Sequence, residues 1–287
     1  MDLIYLYCVI HKAPELKSFN KSLGFYSEQP VMSEVESSRG INDMEKLIDG
    51  PYFIYHQGLF VLVSRVRKDE FGEENLKKNL ADLEWIEQRA SIHEKVIEEV
   101  MKDTCVIPFK FATLFNNEDS LKAMVEEYAE ELKNNLNNLE GKEEWGLKIY
   151  CDIEKLKGVL TQKDDEISKV DKEISSSSPG KAFILKKKKK ELLNTVLNAK
   201  LNKYGQNSFE ELKELSLQTS INKLLPKEIT ERKDEMILNA AFLMAKDKVK
   251  EFISRVDNLK TEYSDKGIDF DCTGPWPPYN FTIMEKA

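Results

Sequence analysis

Apolar and polar positions fall into blocks along this chain, and each block has its own period. Residues 3–10 are an almost unbroken apolar run rich in Tyr, Ile and Val, which suits a buried pleated surface. Residues 52–56 and 59–66 read as two further strands, and Gln57-Gly58 between them is short enough for a tight hairpin turn. From about 73 to 101 the period becomes helical, with Leu83, Ile86, Ala90, Ile97 and Val100 marking one buried stripe. Residues 104–107 read as a short strand stopped by Pro108. Residues 11–50, punctuated by Pro14, Gly24, Pro30 and Gly40, are expected to form a loop-rich insertion with short helical turns. Strand, insertion, hairpin, helix, strand is the element order of a ferredoxin-like sheet with its first helix altered.

A second set of blocks follows. Asn116 and Asn117 can cap a helix on which Leu121, Val125, Tyr128, Leu132, Leu136 and Leu139 lie three or four apart, up to Gly141. The domain boundary is placed near Asn116, giving an N-terminal domain of 1–116 and a C-terminal α+β domain of 117–287. Residues 145–153 read as a strand. Ile153, Leu160, Ile167 and Ile174 are then seven apart, with Leu156 and Val170 between them, which is a coiled-coil pattern about 33 Å long. The serines at 175–178 interrupt it, and Ser178-Pro179 can start a second helix carrying Leu185, Leu192, Val196 and Ala199. An antiparallel helical hairpin over about 153–204 is expected. Residues 205–230 look like short helices and loops, 234–245 a strand, 248–263 a helix and 267–272 a strand. The fold class is therefore α+β.

Composition narrows the function. The chain has 287 residues, 41% hydrophobic and 33% charged, which excludes general disorder and favours long solvated helices. The net charge of −8 argues against a general nucleic-acid scaffold, so any basic contact must be local. No run approaches a membrane span, and residues 1–10 lack the features of a signal peptide. Cys8, Cys105, Cys151 and Cys272 are far apart and outside any C-x-x-C pair, so buried reduced thiols are expected rather than a zinc site. No Gly-rich phosphate loop and no H-E-x-x-H occurs, and no cofactor is expected. His93, between Ala90 and Ile97 on the buried stripe, reads as a hydrogen-bonded core histidine.

Lys186, Lys187, Lys188, Lys189 and Lys190 stand close to the hairpin turn. They read either as a solvated face neutralised across the hairpin by Asp164, Asp165, Glu166 and Asp171, or as a patch for an anionic partner. Three dense segments remain, over 105–115, 144–152 and 273–281. Phe109, Phe111, Trp145, Trp276 and Tyr279 are candidate partner contacts within them, along with Lys110. Packing of Trp276, Tyr279 and Phe281 on a sheet is the plainer reading of the third.

Taken together, these segments resemble the gas vesicle protein F and gas vesicle protein L family. Tyr5-Leu6-Tyr7 matches the family's opening Tyr-Leu-Tyr-Gly, with Cys8 where glycine is usual. Ile107-Pro108-Phe109-Lys110-Phe111-Ala112-Thr113 matches its Leu-Pro-x-Arg-Phe-Gly-Thr, with Lys110 and Ala112 departing from Arg and Gly. His93 matches a histidine in the preceding helix. Glu144-Trp145-Gly146-Leu147-Lys148, the segment from Pro179 to Leu185, and the stretch from Gly274 to Phe281 match further motifs in order. The resemblance implies a ferredoxin-like N-terminal domain, a coiled-coil hairpin and no catalytic activity. It also implies an accessory or minor structural role in gas vesicle assembly, in the cytoplasm or on the vesicle, with the hydrophobic shell subunit, gas vesicle protein A, and other accessory proteins as partners. The alternative reading is an adaptor that binds an anionic partner through the lysine run.

Overall fold

The computed structural model describes residues 2–13 and 50–282. The insertion expected between residues 11 and 50 lies, from 14 to 49, outside the described residues. The chain divides into two compact units, residues 1–142 with 276–287, and residues 143–275. The units therefore part at 142, not at the expected 116, and the final segment rejoins the first unit.

The first unit contains β1 (Asp2–Ile10), β2 (Tyr52–His56), β3 (Leu59–Arg67), α1 (Lys68–Phe71), α2 (Glu73–Asn79) and α3 (Leu83–Met101), then β4 (Ile107–Pro108), β5 (Leu114–Phe115), α4 (Glu118–Glu127) and α5 (Ala129–Leu139). Its strands run in the order β2-β3-β1-β4, with β5 also pairing β1, and all these pairs are antiparallel. β1 is central, and every residue of it after Asp2 is buried, which is why its sequence is a continuous apolar run. The β2–β3 turn has positive φ at both Gln57 (52°) and Gly58 (79°), the geometry that matches the twist of a two-residue hairpin.

Two expected helices divide and one expected strand is shorter. The helix read over 73–101 is broken by residues 80–82, because Asp82 turns its carboxylate to the backbone N–H groups of Glu84 and Trp85 and caps α3. The helix read over 117–141 parts at Tyr128 into α4 and α5, the first started by a capping box between Asn117 and Ser120. The strand read over 104–107 is only Ile107–Pro108. Proline is accommodated because the neighbouring Phe109 N–H supplies the bond to Tyr7 O at 2.8 Å.

The second unit contains β6 (Lys142–Cys151), α6 (Ile153–Lys163), α7 (Asp165–Ser175), α8 (Pro179–Lys213), β7 (Gln218–Ile221), α9 (Lys227–Thr230), β8 (Glu235–Ala245), α10 (Val249–Tyr263) and β9 (Ile268–Trp276). Its sheet order is β7-β8-β6-β9. Helices cover one face, where Leu156, Ile167, Leu197, Leu212 and Phe252 pack with Phe242 of β8. Ala199, expected in the stripe of α8, is exposed; Leu197 and Leu201 are buried instead.

The heptads from Ile153 to Ile174 do not form one helix. Asp164 leaves the helical region (φ −89°, ψ 122°) and caps α7 by accepting from the N–H groups of Glu166 and Ile167. α8 in turn is 35 residues long and runs past the expected end at 204, through residues expected to be short helices and loops. Gly205 lets it approach β8 closely: a Cβ there would stand 3.0 Å from the Ile237 carbonyl oxygen.

Candidate functional site

Two of the three dense segments converge in the first unit, around His93. The Tyr5 hydroxyl accepts from the Ala112 N–H at 3.1 Å and donates to Nδ1 of His93 at 2.9 Å. Nδ1 is then an acceptor, so the ring proton sits on Nε2. That N–H faces the Phe109 carbonyl oxygen at 3.1 Å and the Tyr279 hydroxyl oxygen at 3.0 Å. The Tyr279 hydroxyl in turn donates to the Glu94 carboxylate at 3.1 Å. Each member thus has a fixed donor or acceptor role. Tyr7 stacks on the imidazole at 5.7 Å and donates to Ser64 at 3.2 Å.

Burial lowers the His93 pKa to about 4, so the ring is neutral near pH 7. Burial also raises the phenols of Tyr5 and Tyr279, and pushes Tyr7 up to about 12. Nothing in this network is both activated and open to a substrate. It ties β1, the 109–112 loop and the C-terminal segment to one ring of α3.

Core packing therefore claims Phe109, which is buried, and so excludes it from the exposed contacts. Phe111 is half-buried between Tyr5, Trp85 and His93, with ring centroids about 6 Å apart. Ala112 follows at φ 62°, in the left-handed region that favours glycine. Lys110 is exposed. Tyr279 is half-buried, whereas Trp276 remains 41% exposed.

Trp145 belongs to the second unit. It is half-buried, donates to Glu143 at 3.2 Å, and lies so near Gly274 that a Cβ there would be 2.9 Å from its ring. Glycine at 274 is a packing requirement of the tryptophan.

The lysine run is in the second unit, on α8. Lys189 meets both oxygens of Asp171 at 2.6–2.7 Å, and Lys181 meets Glu173 at 2.9 Å. Of the expected acidic neighbours only Asp171 is engaged. Lys186, Lys187, Lys188 and Lys190 point outward, next to Phe183 (75% exposed) and Ile184 (68%).

One further feature falls within the residues expected to be short helices and loops. β7 is the edge of its sheet, and the stretch from 217 to 229 exposes Leu217, Ile221, Leu224 and Ile229. The register sets Thr219 opposite Phe242 and Ile221 opposite Ala240, so this face of β7 continues the one that carries the core. The apolar margin of the core is left open at the edge. Alternation of Leu217, Thr219 and Ile221 was the available signal.

Among the described residues, no group of His, Cys, Asp and Glu has the arrangement to hold a metal ion. No helix among them is long and apolar enough to cross a membrane. An open depression of about 340 Å³ beside α8 and α10 is lined by Glu211, Glu214, Glu251 and Arg255, with Arg255 ion-paired to Glu211 across it.

Comparison with known proteins completes the picture. The family model for gas vesicle synthesis protein GvpL/GvpF matches residues 3–282. Gas vesicle protein L of a Streptomyces species is 24% identical over 240 residues, covering 80% of this chain and 82% of that protein. Gas vesicle protein F1 of Halobacterium salinarum is 26% identical over 203 residues, 70% of this chain and 71% of its own length. The crystal structure of GvpF from Anabaena sp. superposes with a TM-score of 0.68 at 17% identity, covering 99% of this chain and all of that one. GvpF from Microcystis aeruginosa gives 0.62 at 16% identity, covering 98% and 99%. With sequence motifs, family match and fold in agreement, the chain belongs to the gas vesicle synthesis protein GvpL/GvpF family.

Proposed function

We propose that the chain is a non-catalytic accessory protein of gas vesicle assembly that covers apolar surface on the shell-forming subunit, gas vesicle protein A, and meets other accessory proteins. A subunit destined for an apolar, gas-facing wall must expose greasy surface before it is assembled, and a soluble acidic escort limits its aggregation. The observation that carries this reading is the open apolar margin of Leu217, Ile221, Leu224 and Ile229 at the β7 edge. Exposed strand edges with apolar side chains are natural docking points for another chain. Trp276 and Lys110 are secondary candidates on the first unit.

The same reading takes the first unit as ferredoxin-like, supported by its antiparallel order β2-β3-β1-β4, and α7 with α8 as a helical hairpin. It places the protein in the cytoplasm or on the vesicle. The test is deletion in the host, followed by electron microscopy and co-purification with the shell subunit. The expected result is few or no vesicles, restored by the intact gene but not by a Leu217→Ser, Ile221→Ser, Ile229→Ser variant. Wild-type vesicle numbers in the deletion refute the assembly role. Undiminished co-purification of the triple variant removes the margin as the contact.

A further inference from the structure

The first turns of α8 carry a surface that its fold does not use. Leu185 is buried and Lys189 pairs with Asp171, which fixes the inward side of this part of the helix. Phe183 and Lys187, and likewise Ile184 and Lys188, are four apart and share the outward side. Lys186 and Lys190 flank them. None of the lysines at 186, 187, 188 and 190 has an ion pair among the described residues. Like charges at i,i+4 destabilise a helix, so folding does not favour this cluster. It is a basic stripe, one helix wide and headed by two exposed apolar side chains, on a chain of net charge −8.

We propose that this stripe of α8, Phe183, Ile184, Lys187 and Lys188 with Lys186 and Lys190 beside them, docks an acidic amphipathic helix of a partner protein. Apolar residues of the partner cover Phe183 and Ile184, and its carboxylates meet the ammonium groups one turn further along. Charge complementarity selects this occupant. A nucleic acid meets no arginine fork here and is repelled by the net charge of the chain. An anionic bilayer would also meet α7, whose exposed Asp165, Glu166 and Glu173 lie along the same pair of helices. A second copy offers a poorer match, since the acidic start of its α3, with Glu84 and Glu87, exposes a single large apolar side chain of that helix, Leu83, against the two of the stripe. The apolar side of its α7 is turned inward at Ile167, and its open β7 margin is accompanied by the exposed Lys223 and Lys227.

This surface is separate from the β7 margin, so either can fail alone. The test uses the full chain and two synthetic amphipathic helical peptides with the same leucine stripe, one flanked by glutamates and one by lysines. Fluorescence anisotropy should show binding of the glutamate peptide only, weakening as salt rises. Phe183→Ser with Ile184→Ser should weaken it about tenfold. Reversal of Lys186, Lys187, Lys188 and Lys190 to Glu should abolish it and admit the lysine peptide. Circular dichroism and the thermal midpoint check that the variants, all at exposed positions, remain folded. Equal binding of both peptides, no binding of the glutamate peptide, or unchanged affinity in the variants overturns the proposal. So does binding of phosphatidylserine vesicles or oligothymidylate in its place.

Discussion

At the scale of single residues, His93 does the most with one side chain. It is neutral because burial makes its charged form unfavourable, and both ring nitrogens are already committed. An unfolded chain protonates this histidine near pH 6.5, the folded one only near 4. Between these values the unfolded state binds more protons, so stability rises with pH from about 4 and levels off above about 6.5. Lowering the pH from 7 to 5 should cost about 2 kcal/mol through this group alone. Glu94, whose pKa burial raises, pulls the other way at the acidic end. Urea titrations at both pH values, compared with His93→Gln, isolate the histidine: the variant should be less stable at pH 7 and lose most of the difference between pH 7 and pH 5. Ala112 offers the opposite test. Its positive φ strains an L-residue, so Ala112→Gly should stabilise the protein by about 0.5–1 kcal/mol, read from the urea midpoint. The sequence singled out Tyr5, His93, Phe109 and Tyr279 individually. Their meeting was not legible, because the links span 88, 16 and 186 residues, and no local period encodes such distances.

At the scale of elements, periodicity located most helices and strands, and the caps at Asn117 and Ser178 were legible, whereas those at Asp82 and Asp164 and the β7 edge were not. Asp164 shows why. An aspartate at an outward heptad position and an aspartate that starts a new helix look alike in a sequence, and the flanking Leu160 and Ile167 face inward in both cases. Asp164→Ala should cost about 1 kcal/mol, because the N–H groups of Glu166 and Ile167 lose their acceptor. β7 was missed for another reason: Gln218, Thr219 and Ser220 contain no apolar run, and the strand exists through its pairing with β8. The lysines divide by the same logic. Lys189→Glu should lower the thermal midpoint at low salt, since it faces Asp171. Lys187→Glu should leave the midpoint unchanged or raise it slightly, since that residue faces solvent among like charges.

At the scale of the whole molecule, the second unit is one continuous stretch, whereas the first is assembled from two. β6 and β9, the strands by which the chain enters and leaves the second unit, are neighbours in its sheet. A fragment of residues 142–276 should therefore fold alone, with a cooperative unfolding transition and helical circular dichroism. A fragment ending at 142 should be markedly less stable than the intact chain, because His93 Nε2 and Glu94 then lose Tyr279. A peptide of residues 276–282 added in excess should restore part of the loss. This division was not legible in the sequence. Trp276 and Tyr279 were read as packing on a sheet, but nothing in their pattern says which sheet.

The late return of residues 276–282 has a consequence for synthesis. As the chain leaves the ribosome, β1 is made before the second unit, yet its Tyr5–His93 bond is backed by Tyr279 only once residues 276–282 have followed that unit out. The inserted unit is by then complete. Removal of residues 276–282 would leave the second unit whole and the first without its latch.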